Sequence, residues 1–374
     1  MKKEFVNNKS IVYFTDVKKD SNKSLIDRLA TMIDRSKLFT TIKSSDRVAI
    51  KMHFGERGGH AYIRTPFISK IVSKVKEYGG IPFVTDTNTL YSHKRHNAID
   101  HLETAAINGF THETVGAPII IADGLIGKDQ ETIKINGYHF KEIYIASAIY
   151  HTDFIIAATH FTGHPMGGFG GSIKNLAMGC ASIKGKYLQH SEYLPKVKED
   201  LCKLCETCIE NCGYDAIKKG KNSIYFIAEN CVGCGECISV CKYGAISPKY
   251  PNEAKKLQEK MVEYLMGIGN QKKGRIIYIN FLIDISPGCD CCSFSNIPIV
   301  PDLGILLSDD PIAIDRASAD LINAAPYNPL WSADDKFRDQ DKFKAIYKDI
   351  EWSWQLNYGK QMGIGNEEYE IIKI

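Results

Sequence analysis

The run Val48-Ala-Ile-Lys51, followed by Pro66-Phe-Ile-Ser-Lys-Ile-Val-Ser-Lys-Val-Lys-Glu-Tyr78, Gly79-Gly80 and Pro82-Phe-Val84, reads as strand, helix and strand. Apolar residues recur at helical spacing across Pro66–Tyr78, and the paired glycines end the helix. Strands that alternate with amphipathic helices indicate an α/β fold built on a mostly parallel sheet flanked by helices.

Outward from that unit the pattern continues. Ile11–Phe14 reads as a strand, Leu25–Ile33 as a helix, Ala98–Asn108 as a helix and Pro118–Ala122 as a strand. Thr132–Ile135, Asn136-Gly137 and His139–Tyr144 read as a hairpin, because Asn-Gly suits a type I′ turn. Asp153–Ala158 is a further strand, followed by a glycine-rich loop and a short helix over Ser172–Met178. Glu253–Met266, Pro311–Ala324 and Asp335–Lys348 read as helices, and Arg275–Ile285 as a long apolar strand.

The composition fits a globular chain. Of 374 residues, 44% are hydrophobic and 24% charged, which excludes global disorder. The balance of 47 basic and 44 acidic residues leaves no electrostatic basis for nucleic-acid binding. The start is polar where a secretion signal would be apolar, and the apolar runs are strand-sized, so a cytoplasmic protein with no membrane partner is expected.

The 12 cysteines are unevenly placed: none precedes Cys180, and eight lie between Cys202 and Cys241. In a reducing compartment such clustering signals metal or catalysis. Cys202-x2-Cys205-x2-Cys208-x3-Cys212 repeats as Cys231-x2-Cys234-x2-Cys237-x3-Cys241, and Cys212-Gly-Tyr-Asp-Ala-Ile217 matches Cys241-Lys-Tyr-Gly-Ala-Ile246. Three closely spaced thiolates can wrap one face of a cubane while the fourth ligates the neighbouring cluster. The segment resembles the bacterial two-cluster ferredoxins. That resemblance implies one [4Fe–4S] cluster on Cys202, Cys205, Cys208 and Cys241, and another on Cys231, Cys234, Cys237 and Cys212. The proline that usually follows the fourth cysteine is replaced by Gly213 and Lys242. Zinc is the competing reading of Cys-x2-Cys pairs, but two complete four-cysteine runs argue against it. The expected architecture is therefore an α/β domain over residues 1–197 and 249–374, carrying a ferredoxin-like insert over 198–248.

Four cysteines remain: Cys180, Cys289, Cys291 and Cys292. They are candidate ligands of a third iron–sulfur cluster or a metal ion, a candidate redox pair, or small buried residues. Other polar groups follow strands: His53, His60, Asp86, Asn88, Tyr91, Arg95, Asp123, His160 and His164. In α/β sheets such loops converge on one crevice. His53, His60, His160 and His164 are candidate acid–base groups. The glycine-rich run Gly163–Gly171 leads into the helix bearing Lys174 and Asn175, where backbone N–H groups and Lys174 could receive an anion. It is neither a P-loop nor a dinucleotide fingerprint.

Lys51-Met-His-Phe-Gly-Glu56, Asp86-Thr-Asn-Thr-Leu-Tyr91, Gly168–Gly179, His190, the eight-cysteine repeat and Cys289-Asp-Cys-Cys292 together resemble the uncharacterised iron–sulfur centre proteins. The resemblance implies an α/β domain of unknown function joined to a ferredoxin-like module, and it brings no assigned reaction. The resulting expectation is an oxygen-sensitive reductase that receives electrons from a donor protein and passes them to a small-molecule or anionic substrate. A metal-cofactor or cluster delivery protein, or a simple electron carrier exchanging electrons with an acceptor protein, are the alternatives.

Overall fold

In the computed structural model, residues 9–18, 22–91, 93–190, 194–233, 236–248, 251–330 and 340–374 are described. Cys234 and the first part of the expected Asp335–Lys348 helix lie outside them; the described part is helical over Lys342–Ile346.

Eight strands form one sheet: β1 (Ser10–Asp16), β2 (Arg47–Lys51), β3 (Ile81–Asp86), β4 (Ile119–Ile121), β5 (Phe154–His160), β6 (Ile276–Leu282), β7 (Gly304–Ser308) and β8 (Tyr369–Lys373). Their order is β8-β1-β7-β6-β5-β2-β3-β4. All neighbouring pairs are parallel except those made by β7, which runs against both β1 and β6. The fold is α/β with a mostly parallel sheet.

The central strands are mostly apolar, as strands covered on both faces must be, with polar residues such as Lys51, His160 and Asn280 as exceptions. Alternate residues enter opposite layers. Ile156, Ala158, Ile277 and Ile279 pack with Leu29 and Met32 of the helix Leu25–Ser36 and Ile68 and Ile71 of the helix Thr65–Glu77. Ile155, Ala157, Ile276 and Tyr278 pack instead with Met261 and Leu265 of the helix Pro251–Lys272 and Ile314 of the helix Pro311–Ala324. Strand β7 was not anticipated. Gly304 admits it, because a Cβ there would strike the Thr15 carbonyl across the sheet, at a positive φ of 151°.

The hairpin exists but is longer than expected. Gln130–Lys134 pairs with Glu142–Ala146, and the intervening loop is no two-residue type I′ turn. The cause is tertiary: backbone N–H groups of Tyr138, His139 and Phe140 donate to the buried Glu263 carboxylate at 2.7–3.1 Å.

The glycine-rich run is also ordered differently. Thr162–His164 and Gly168–Gly170 form a small antiparallel hairpin before the helix Ser172–Ala177. That helix has its N–H groups satisfied internally: Ser172 and Ile173 donate to the two carboxylate oxygens of Asp315, at 2.8 and 3.0 Å. Thus no external anion is needed at this helix start, contrary to the sequence-based expectation.

The cysteine-rich segment has a core of its own, around Ile217, Ile224, Val240 and Ile246. Pro195–Val197 and Ile246–Pro248 pair as antiparallel strands, so the chain leaves and rejoins the α/β layers at one place. Among the described residues, no helix is long and apolar enough to cross a membrane.

Asp315 also accepts from Asn280 at 2.9 Å, holding the helix Ser172–Ala177 against β6. Asp315→Ala should leave these buried donors unpaired and destabilise the protein by roughly 2–4 kcal/mol, whereas Asp315→Asn should retain part of the stability. Urea unfolding curves of both variants measure the difference.

Candidate functional site

The carboxyl ends of β2, β3 and β5 open on a cavity of about 1090 Å³, counted with its open mouth. From β2 the chain proceeds outward to β3, whereas from β5 it proceeds to β6 on the other side. Such a reversal of strand order is where α/β sheets leave a crevice.

Lys51, the last residue of β2, meets Asp86, the last of β3, at 2.9 Å, with side chains only 1% and 4% exposed. The Lys51 ammonium also donates to the Met52 carbonyl and the Asn175 side-chain oxygen, both at 2.9 Å. Gly179 leaves the space for it: a Cβ there would collide with Lys51 Nζ. Arg95 bridges Glu56 at 3.2 Å and Asp86 at 3.5 Å, and donates to the Tyr91 hydroxyl. Burial alone would raise the Asp86 carboxyl, but Lys51 and His101 outweigh it and hold the group well below its ordinary range.

Two further cations line the cavity; among the described residues neither has a carboxylate in salt-bridge contact, although the charge of Asp290 acts on Lys174 and that of Asp123 on Lys186. Lys174 donates to Cys289 Sγ at 3.5 Å, and Lys186 donates to Thr87 Oγ1 and the Ala181 carbonyl, both at 2.5 Å. Burial pushes each of these lysines down to about 8. An anionic ligand could neutralise both and recover the Coulomb energy that burial withholds.

The histidines divide by environment. Both ring nitrogens of His160 face acceptors: Nδ1 lies 2.8 Å from Asp290 and Nε2 2.7 Å from the Ile283 carbonyl. Burial lowers His160, but Asp290 more than compensates and its pKa is raised. The pair His160–Asp290 therefore anchors the cysteine loop. His53 and His164 are pushed well below their ordinary range by burial. Each accepts backbone N–H groups at Nδ1: His53 from Gly55, and His164 from Met166 and Gly167. Their ring hydrogens thus sit on Nε2. His190 donates from Nδ1 to the Lys186 carbonyl, leaving Nε2 as an acceptor, and burial lowers it to about 4.

His60 does not join the site. Its side chain is exposed and its backbone N–H donates to Ser295 Oγ, so the loop carries it to the outer face. Cys180 is likewise apart from the other three leftover cysteines. It is fully buried in the apolar layer and does not line the cavity, whereas Cys289 and Cys291 do. Burial raises its thiol to about 11. Among the described residues, no three His, Cys, Asp or Glu side chains stand close enough to hold one metal ion. Cys289 and Cys291 are instead joined as a disulfide.

The cysteine-rich segment abuts the cavity. Glu236 lines it, lies 3.4 Å from His93 Nε2, and also lines the crevice between Cys212, Cys231 and Cys237. The Tyr214 hydroxyl donates to the Leu90 carbonyl. Val240 and Lys242, either side of Cys241, share a second crevice with Cys289 and Cys292. Burial raises the Cys208 thiol to about 11, with Cys241, Cys205 and Cys202 adding to it, and burial raises Cys231, with Cys212 adding to it.

Lys186 carried no signal in the sequence, since a lysine on a short helix normally faces solvent. Lys51 stood at a strand end and Glu236 between two cysteines, where neither position by itself implies a cavity.

An α/β sheet with a polar cavity at its carboxyl edge, bordered by a cysteine-rich segment, defines the class. The chain belongs to the family of the domain of unknown function DUF362, whose model matches residues 48–320. A ferredoxin of Streptomyces griseus is 36% identical over 67 residues, 17% of this chain and 64% of the ferredoxin. The chain thus spans slightly under two thirds of that relative. The lactate racemase apoprotein from Thermoanaerobacterium thermosaccharolyticum is similar at a TM-score of 0.37 and 10% identity. That similarity covers 74% of this chain and 51% of the other, and is too distant to carry chemistry.

Because Lys186 has a folded pKa of about 8 against 10.5 unperturbed, the unfolded chain binds more protons between those values. Stability should therefore rise with pH across that window. Lys186→Met removes this share, so wild type should gain on the order of 1–2 kcal/mol relative to the variant between pH of about 7.5 and 10. Urea unfolding of both proteins across that range measures the gain.

Proposed function

We propose that the protein is an iron–sulfur reductase that delivers electrons to a small anionic molecule in the cavity. Cys202, Cys205, Cys208 and Cys241 hold one [4Fe–4S] cluster, and Cys231, Cys234, Cys237 and Cys212 hold the second. The observation that carries this reading is the crossing of the two runs: Cys212 shares one crevice with Cys231 and Cys237, and the charge of the distant Cys241 bears on Cys208 beside those of Cys202 and Cys205. The residues fit the group. They supply soft thiolate donors, left-handed turns at Leu204 and Glu206 that wind the chain between ligands, and an apolar core behind them. A cubane is wider than a single ion, so its ligands need not crowd as the donors of one metal do. When bound, such clusters supply one-electron transfer.

The rest is done by the chain's own side chains. Lys174 and Lys186 attract and orient an anion, the Lys51–Asp86–Arg95 network fixes the cavity wall, and the neutral His53 and His164 offer Nε2–H donors. Glu236 and His93 hold the cluster-bearing segment against the cavity mouth. A pure carrier would need only a docking surface, so the cation-lined cavity favours a reductase.

Protein purified without oxygen should contain about eight iron atoms and as much acid-labile sulfide per chain. Cys208→Ser should remove about half. A content near zero, or one unchanged by the substitution, overturns the cluster assignment. When the reduced protein is mixed with small carboxylates, phosphoesters and inorganic oxyanions, one class should restore its oxidised visible spectrum. Lys186→Met should raise the half-saturating concentration of that anion by roughly 10–100-fold, the cost of a lost charged hydrogen bond.

A further inference from the structure

Cys289 and Cys291 stand where the two halves of the molecule meet. On one side they line the cavity, and on the other Cys289 shares a crevice with Val240 and Lys242, which flank Cys241. Each sulfur faces a nitrogen donor. Cys289 Sγ receives Lys174 Nζ at 3.5 Å and the Cys291 backbone N–H at 3.2 Å. Cys291 Sγ lies 3.7 Å from His53 Nε2, the nitrogen that carries the ring hydrogen because Nδ1 accepts from Gly55. Between the two cysteines, Asp290 is tied by its carboxylate to His160 and by its carbonyl to the Glu56 N–H at 3.0 Å, so the turn is held from the end of β5 and from the loop after β2. Donors aimed at sulfur favour thiolate, and a buried ammonium at the same place opposes a metal cation.

We propose that Cys289 and Cys291 form a redox-active pair that collects two electrons at the cavity wall. This rests on the iron–sulfur reading above for its electron supply. A ferredoxin-type protein donor gives two electrons, one at a time, by way of the cluster-bearing segment. The sulfur–sulfur bond breaks, one proton passes from the Lys174 ammonium to Cys289, and Cys291 remains a thiolate facing the His53 N–H. Lys174 regains its proton from cavity water. When an oxidised anion in the cavity takes the two electrons and the proton, the sulfur–sulfur bond forms again. The arrangement converts single-electron delivery into the electron pairs that most organic reductions require.

The test is a thiol-trapping titration of the whole, cluster-loaded protein. Samples are poised anaerobically with glutathione couples of graded potential, quenched in acid and alkylated, and the peptide spanning Cys289–Cys292 is weighed. Labels on Cys289 and Cys291 should appear together, in a single two-electron step. Independent labelling, or no loss of label at any oxidising potential, overturns the proposal. Delivery is tested by replacing glutathione with a reduced ferredoxin-type protein: wild type should gain both labels, and Cys208→Ser should gain them several-fold more slowly. Equal rates would sever the link to the clusters. If iron is absent altogether, the cluster reading fails, while the glutathione titration still decides the thiol pair. Lys174→Met should shift the pH profile of Cys289 alkylation upward by roughly one unit, with Lys174→Arg restoring it. An unmoved profile overturns the role of Lys174.

Discussion

The contact between Lys51 and Asp86 constrains everything around the cavity. The two residues end adjacent parallel strands, which pair Lys51 with Thr85 in register, and their charges meet at 2.9 Å out of reach of water. Removing two charges from water costs several kcal/mol each, repaid only by close geometry and full hydrogen bonding. Asn175, Arg95 and Glu56 extend that bonding, and His101 Nε2 stands 3.6 Å from Asp86. A core built for stability alone would place apolar side chains there. The network instead fixes polar groups at the carboxyl edge of the sheet, and the loops that follow β2, β3 and β5 inherit their positions from it.

One of those loops bears the histidine–aspartate pair. His160 is the last residue of β5 and Asp290 sits eight residues beyond the end of β6, its neighbour in the sheet. Their contact brings the cysteine turn back over the strand ends. With the Glu56 N–H bond to the Asp290 carbonyl, it holds Cys289 beside Lys174. The same turn lines a crevice with Val240 and Lys242 of the cysteine-rich segment. The cavity wall and the docking surface are therefore one piece of chain.

The sheet was largely legible in the sequence because its central strands are buried on both faces and read as nearly continuous apolar runs, as Phe154–Ala158 and, but for Asn280, Ile276–Leu282 do. Edge and reversed elements were not. Gly304–Ser308 is five residues long and Tyr369–Lys373 alternates with charge, so neither stands out from a loop until its neighbours are known. The convergence of His53, Asp86, Arg95 and His160 followed from their places after strands. His60 failed by the same logic: it too follows β2, but the loop reverses between Glu56 and Gly59, and beyond that turn the chain heads outward. Lys174 was legible as a charge beside a glycine-rich helix start, although Asp315 rather than a ligand caps that helix.

The two halves of the molecule share their electrostatics. The α/β part concentrates lysine, arginine and imidazole at one sheet edge, while the small segment beside it carries eight cysteines. Thiolate-ligated clusters bear net negative charge, and an adjacent field of fixed cations favours adding an electron to such a group. Glu236, an acidic residue of the segment that lines the cavity, is held at His93. A segment docked elsewhere on the sheet would meet the ordinary mixed charges of a near-neutral surface. On the iron–sulfur reading proposed above, an electron arriving on the segment and an anion in the cavity would both lie in the field of these buried cations.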